Sequence, residues 1–522
     1  MIGRNFSLNR IKKKSKTVFE MGLTAFEQKF RNNLPMVCFS TYPSLVTGLV
    51  RWPIFGSMLQ IYWRNFKHPF MAVHQLVKEL DLPMMSTYLG NHPVVFINDP
   101  DSIRELFSKP EFQGRSPGLV AKLRSRNKDK VLGVIFTDGD EWSEQKRYAL
   151  RNFRDLGYGR RSESFESVLE EETRNLITLI TDENSVLMKD GVAQVPQIFY
   201  LFHLNMILNV FDGERLSISQ LSDAVKLVDI AFLFLSSTEP TGGAFDFLPW
   251  LQYVLPWKYG LKDIVDTSTI LNKYLGEMVN KCKENHSSEH LRGYIDIFVE
   301  KMLNGKHNHP SYNEDNLVNI LVDFWFPAVT TVSAAHGFLF EYLLYHPEVQ
   351  TNMQKEIDLI VGRSRLPTLH DRKNMPYTEA TIREALRLKP IVVMALTHRC
   401  TKAAKLGDYW IPENTLLSPN LYNYHRDEKL WKNPHVFDPT RFLDENGEII
   451  KKDPSLPFGV GKRVCPGETF ARHNLFVSTA AFFQHFSIEC PLGSPLPDLN
   501  DLRNGINLSP NPFKVKIVPR GN

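Results

Sequence analysis

The chain has 522 residues and a formal net charge of +4, with basic and acidic side chains interspersed, which argues against nucleic acid as its main partner. Its five cysteines (Cys38, Cys282, Cys400, Cys465 and Cys490) are odd in number and widely scattered, so neither a disulfide framework nor a C-x-x-C zinc or redox pair is expected. No Gly/Ser linker, low-complexity tract or internal repeat divides the part from Trp52 onward, and a single domain over residues 52–522 is the expectation.

Residues 1–51 form a basic N-terminal segment, in which Arg4, Arg10, Lys12, Lys13, Lys14 and Lys16 precede the first acidic residue, Glu20. No run of about 18 apolar residues follows, so a signal anchor is not read there. A mitochondrial presequence, a membrane-surface helix and a solvated tail all fit this composition. From Trp52 a short Pro-bounded stretch precedes a helical pattern through Leu80, and strands are expected at 86–89 and 93–97. Apolar residues at helical spacing predict helices over 141–154, 162–181, 196–210, 217–235, 267–284 and 316–345. His307 and His309 sit in a polar Gly/Asn/Pro loop and read as solvated rather than as a metal pair. A further helix is expected over 378–388, and short strands at 391–397, 415–419 and 513–518, so the fold class is mainly α with small β-sheets.

The densest chemical signal is Phe458-Gly459-Val460-Gly461-Lys462-Arg463-Val464-Cys465-Pro466-Gly467. Pro466 suits the first position of a helix from Gly467 on, which sets Cys465 at a helix N-terminus. Positive dipole charge and free N–H groups there lower a thiol's pKa and favour a metal-binding thiolate. The alternative for a lone cysteine is a small buried hydrophobe. The stretch resembles the haem-binding loop of the cytochrome P450 family, Phe-x-x-Gly-x-Arg-x-Cys-x-Gly, at all five fixed positions, and at roughly 5% each over a chain of this length a chance match is on the order of 10⁻⁴.

Three other stretches stand out. Glu384 and Arg387 lie three apart on one helical face, close enough to pair, and Phe437-Asp438-Pro439-Thr440-Arg441-Phe442 adds an arginine between aromatics. Trp142-Ser143-Glu144-Gln145-Lys146-Arg147 combines an aromatic with two cations. Within the longest helical pattern, Asp323-Phe324-Trp325-Phe326-Pro327-Ala328-Val329-Thr330-Thr331 carries a mid-helix proline, for which a kink just before Thr331 is predicted.

Together these pieces resemble the cytochrome P450 family over residues 52–520, and their order resembles its microsomal, xenobiotic-metabolising branch. The resemblance implies a helix-rich fold enclosing haem b, with Cys465 as axial iron ligand and Phe458, Gly461, Arg463, Gly467, Trp142 and Lys146 around the macrocycle. Lys146 stands where the family has arginine, and Arg147 is a possible substitute. Glu384, Arg387 and Arg441 would form a buried triad bracing the cysteine loop. Thr331 falls on the family's conserved hydroxyl position, while Thr330 replaces a carboxylate, Ala328 a glycine and Pro327 an alanine; Thr331 and Thr330 are the implied catalytic pair. Phe324, Phe326 and Val329, with Ile391, Val392, Val393 and Met394, would line the substrate pocket.

The implied function is insertion of one atom of O2 into a hydrophobic lipid, steroid or xenobiotic. Electrons would come from a separate NADPH-cytochrome P450 reductase, with cytochrome b5 as an optional second donor, because no Gly-rich dinucleotide fingerprint opens a strand-to-helix turn here. Lys146, Arg147, Arg151 and Lys462 are the candidate docking cations. An isomerase or dehydratase of oxidised lipids and a non-catalytic haem protein are the competing readings. The expected location is the cytosolic face of the endoplasmic reticulum membrane, reached peripherally or through an anchor missing from this chain; the alternative is the mitochondrion.

Overall fold

The computed structural model describes residues 49–521 apart from 117, 159, 183–184, 239–242, 255–259 and 305–308. His307 and the basic segment up to residue 48 therefore lie outside the described residues. Helices dominate: α1 (Met58–Arg64), α2 (Pro69–Leu80), α3 (Leu119–Leu123), α4 (Gly139–Asp155), α5 (Glu163–Thr181), α6 (Tyr200–Asp212), α7 (Leu221–Ser236), α8 (Leu261–Glu284), α9 (Glu314–Tyr345), α10 (Pro376–Leu388) and α11 (Glu468–His485) carry most of the core. The sequence pattern locates most of these elements within a few residues, although it does not show α3, α8 starts six residues before the expected 267 and α11 runs ten residues past the expected Leu475; several ends have local causes. Ser162 caps α5 by accepting the Phe165 N–H, Asn313 caps α9 by accepting the Asn316 N–H, and α6 stops at Gly213, whose φ of 79° suits the left-handed terminus.

The central helix α9 is apolar almost all round and buried along nearly its whole length. It is long and apolar enough to cross a membrane by length and composition, yet 89% of its most apolar window is buried inside the protein. Helices α6, α8, α10 and α11 pack around it. One contiguous cluster of buried apolar side chains reaches from Leu49 to Ile517 and passes through α9.

A five-stranded sheet lies to one side, in the order β1 (Met84–Leu89), β2 (His92–Ile97), β5 (Leu416–Pro419), β4 (His398–Arg399) and β3 (Gly114–Arg115). β2 and β5 run parallel and the other pairs antiparallel. The register of the β3–β4 pair sets Arg115 directly opposite His398. A second sheet joins Phe486–Glu489, Phe513–Pro519, Val192–Val195 and Met188–Lys189.

Residues 391–397 do not form the predicted strand. Their carbonyls are taken by scattered donors instead of a ladder: Leu508 N–H bonds Ile391 O, Tyr422 N–H bonds Val393 O, and the Arg115 guanidinium bonds Leu396 O and Thr397 O. Ala395 turns into the left-handed region at φ 47°. β-branched residues read as a strand, whereas tertiary partners bend this segment around a cavity.

Candidate active site: a cysteine on an apolar cavity

A cavity of about 280 Å³ opens between α9, α7, α11, the 457–467 loop and the 391–396 turn. Cys465 lines it, along with Phe458, Arg463, Val464, Pro466 and Gly467. The loop is a tight construction. Gly459 and Gly461 have φ of 68° and 78°, a Cβ on Gly461 would run into the Phe107 carbonyl, and the Cys465 N–H bonds Phe458 O at 2.9 Å. Gly461 itself does not line the cavity; its part is to let the loop approach Phe107.

The expected lowering of the thiol's pKa is not found. Helix α11 begins at Glu468 with Gly467 as its N-cap, and burial pushes the Cys465 thiol up to about 11, against a hydrogen bond from the Gly467 N–H. Desolvation outweighs the helix terminus, so a bound metal cation would be what makes the thiolate.

Above the loop the cavity wall is crowded with cations. Arg463 donates to Gln113 O and Thr137 O, and its guanidinium lies 3.6 Å from the centroid of the Trp142 ring. Lys146 bonds Lys462 O and lies 4.9 Å from the centroid of the same Trp142 ring. Arg115 donates to Leu396 O at 2.7 Å, while its buried Nε has no protein partner. Burial lowers Arg115 to about 9, Lys146 to about 8 and Arg463 to about 10, and for Arg115 and Lys146 the repulsion of neighbouring cations adds to it. His398 completes the group; its Nδ1 meets Phe112 O at 2.6 Å, and burial holds the imidazole far below its ordinary pKa. Three crowded cations and an orphaned guanidinium N–H fit the carboxylate edge of a haem. Arg147 does not substitute for Lys146: it pairs with Glu144 and its side chain is 77% exposed.

Helix α9 supplies one wall through Val322, Asp323, Phe324, Phe326, Pro327, Ala328, Thr331, Val332 and Ala335. It remains α-helical through Pro327. Thr331 faces the cavity and its hydroxyl donates to Pro327 O at 2.7 Å. Thr330 does not line the cavity: it is buried, donates to Phe326 O at 2.7 Å and accepts from Asn507. Asn507 in turn lines the cavity. Helical rotation is the reason, since adjacent residues on α9 point about 100° apart.

The pocket residues divide in the same way. Phe324 packs edge-on to Phe153, and Phe326 stacks on Phe234 at 4.5 Å. Phe324, Phe326, Ile391 and Val392 line the cavity, whereas Val329, Val393 and Met394 are packed into the core behind it.

Glu384, Arg387 and Arg441 meet as the resemblance implied. Arg387 grips Glu384 with two bonds of 2.6 and 2.8 Å, and Arg441 Nε adds a third at 2.9 Å. Glu384 and Arg387 are fully buried. Arg387 also donates to His425 O, and the same His425 accepts the Leu456 N–H at its Nε2, two residues before Phe458. The triad is thereby tied to the cysteine loop.

Sequence reasoning missed Arg115, His398, Arg124, Asp323, Tyr158 and Asn507, all on the cavity. Asp323 offered a signal, as the lone acid in an apolar helical run, and such an acid must find a partner. Its partner is Arg124. His309 meets Ser311, and among the described residues no group of three or more His, Cys, Asp or Glu is placed to hold a metal ion.

The cytochrome P450 family model matches residues 46–517. Farnesoate epoxidase of Bombyx mori is 30% identical over 92% of this chain and 94% of its own length. Cytochrome P450 2J5 of Mus musculus is 30% identical over 91% of each chain, and steroid 17-alpha-hydroxylase/17,20 lyase of Squalus acanthias is 31% identical over 90% of this chain and 91% of its own. With a cysteine on an apolar cavity, a cationic wall and this extent of similarity, the chain belongs to the cytochrome P450 family of haem-binding monooxygenases.

Proposed function

We propose that the protein inserts one oxygen atom from O2 into a hydrophobic lipid, steroid or xenobiotic, with Cys465 as the axial ligand of haem b. The observation that carries this is the Cys465 thiol on an apolar cavity that also holds Thr331 and the Arg115, Lys146 and Arg463 cations. Bound haem supplies the oxygen activation and one-electron chemistry. The chain's own residues do the rest. The Gly467 N–H donates to the cysteine sulfur, Arg115, Lys146, Arg463, His398 and Trp142 line the cavity where they would hold the carboxylate edge of haem, and Phe458 would cover the sulfur side. Phe234, Phe324 and Phe326 exclude water over the reacting carbon, and the Thr331 hydroxyl passes solvent protons into the cavity. Two relatives named for farnesoate and steroid chemistry support large apolar lipids as the substrate class.

Residues 52–522 act as one haem domain on this reading, and 1–51 as a separate basic segment. Electrons come from an NADPH-dependent reductase, with cytochrome b5 as a second donor, and the exposed Arg151 and Lys462 are the free docking cations because Lys146 is already bonded. Attachment is at the cytosolic face of the endoplasmic reticulum membrane, peripherally or through an anchor. Ile54, Trp63 and Phe66 on and beside α1 are 60%, 61% and 71% exposed, which suits contact with a membrane surface. The reduced CO complex is the first test: a thiolate-type red-shifted Soret band is expected, and its absence ends the reading. NADPH-dependent oxygen uptake with reductase then separates a monooxygenase from an isomerase, which would turn over a lipid hydroperoxide without reductase.

A further inference from the structure

A run of aromatic rings leads from the cavity to the surface, and four of its members are phenols. Tyr158 lines the cavity beside Cys465 and Gly467, and a Cβ built on Gly467 would come within 2.6 Å of its hydroxyl. Its ring centroid lies 5.4 Å from that of Phe153, which lies 4.3 Å from Tyr294. Tyr294 is 6.5 Å from Tyr148, and Tyr148 is 5.2 Å from Tyr312, half-buried at the outer end. The hydroxyls have different surroundings. Tyr294 is fully buried and its hydroxyl has no partner, Tyr148 donates to Ile297 O at 3.1 Å, and Tyr312 donates to the Glu144 carboxylate at 2.7 Å. A buried phenol without a partner is costly, since phenylalanine fills nearly the same space with no unpaired hydroxyl. What tyrosine adds at position 294 is a ring more easily oxidised than that of phenylalanine.

We propose that Tyr158, Tyr294, Tyr148 and Tyr312 form an electron relay that drains oxidising equivalents from the haem to the surface, with Tyr312 as terminal donor and Glu144 as its proton acceptor. This rests on the reading that haem fills the cavity beside Cys465. Loss of an electron makes a phenol a strong acid, and of these four described phenols Tyr312 is the one with a carboxylate within hydrogen-bond reach. The Tyr312 hydrogen bond holds Glu144 below the usual carboxylate range, so the acceptor is ionised, whereas burial keeps the proton on Tyr158 and Tyr294. The oxidant is a hydroperoxide, whose O–O bond breaks as it takes two electrons and two protons to give an alcohol and water. Each electron leaves Tyr312 as its O–H proton passes to Glu144 and on to solvent. A one-electron donor of the ascorbate class then returns a hydrogen atom to the phenoxyl, and two such passes reduce one hydroperoxide.

The test mixes the haem-loaded full chain with cumene hydroperoxide and a nitroso spin trap, locates adducts by peptide mass spectrometry and follows haem bleaching at the Soret band. In the wild type the adduct sits on Tyr312, and added ascorbate suppresses it. Tyr294→Phe removes a partnerless hydroxyl, so the protein is at least as stable to urea, yet the Tyr312 adduct falls severalfold and haem bleaches severalfold faster. Glu144→Gln lowers the same adduct severalfold, and Tyr312→Phe abolishes it and speeds bleaching. Tyr345→Phe, whose hydroxyl bonds Pro497 O away from the run, behaves as the wild type. The inference is overturned if no adduct forms on Tyr312, or if Tyr294→Phe leaves both adduct yield and bleaching unchanged. With a thiolate-type CO band present, those outcomes sink the relay alone; without the band, the haem reading fails and the relay with it.

Discussion

Single side chains decide the chemistry. Cys465→Ser removes the sulfur while leaving the loop's glycines intact, so the folded protein loses the red-shifted CO band, as checked on the reduced CO complex beside a circular dichroism spectrum. Thr331 and Thr330 are neighbours with opposite surroundings, and variants separate them. Thr331→Val removes the hydroxyl that faces the cavity, and product formed per NADPH falls by about tenfold or more while peroxide release rises. Thr330→Val deletes a buried hydroxyl bonded to Phe326 O and Asn507, which lowers stability by about 1 kcal/mol and leaves coupling close to the wild type. Measuring NADPH, peroxide and product together for both variants distinguishes the two positions. A mid-helix Thr-Thr pair in the sequence does not say which hydroxyl faces the cavity; the rotation of α9 does.

At the scale of elements, the triad links α10, the 438–442 turn and, through His425, the cysteine loop. Glu384→Gln leaves Arg387 and Arg441 without their anion, with a loss of about 3–5 kcal/mol and of bound haem, read by urea unfolding and by haem content per chain. Replacing both Glu384 and Arg387 with apolar residues is milder, since no uncompensated charge stays buried. The helices, the cysteine loop and the Glu384–Arg387 pair were legible because each rests on local spacing, whereas Arg441 joins the pair from 57 residues away and was expected only from the family resemblance. Residues 391–397 were misread as a strand because their partners, Leu508, Tyr422 and Arg115, come from elsewhere in the chain. Arg115 and His398 were invisible for the same reason: they face each other only through the pairing of two two-residue strands more than 280 residues apart.

For the whole molecule, burial of imidazoles makes the fold acid-sensitive. Burial lowers His336 and His425 to about 3, His74 and His473 to about 4, and His203 far below its ordinary value. The unfolded chain therefore binds more protons below about pH 6.5, and stability falls as pH drops, by up to about 1.4 kcal/mol per pH unit for each group. Burial raises Asp212 to about 6 and Glu341 to about 8, and also pushes Glu172, Asp229, Asp246, Asp323 and Glu356 upward, all of which act in the opposite sense; His68, His398 and His435, lowered by burial too, side with the first five imidazoles. Urea midpoints at pH 7.5, 6 and 5 are expected to fall steadily, and a flat profile would contradict this account. The exposed α1 aromatics give a second test at this scale: Trp63→Ser with Phe66→Ser weakens flotation with phospholipid vesicles without moving the CO spectrum.

The burial of α9 also bears on how the chain is made. A segment that could span a bilayer emerges from the ribosome long before α11, which packs against it and starts at Glu468. At ordinary translation speeds that interval is on the order of ten seconds. During it this long apolar helix has only its earlier neighbours, α6, α7, α8 and the 192–199 segment, for cover. Biogenesis therefore depends on those earlier elements and on cellular chaperones shielding α9, so that it is retained as the core of a folding domain and not inserted as a membrane span.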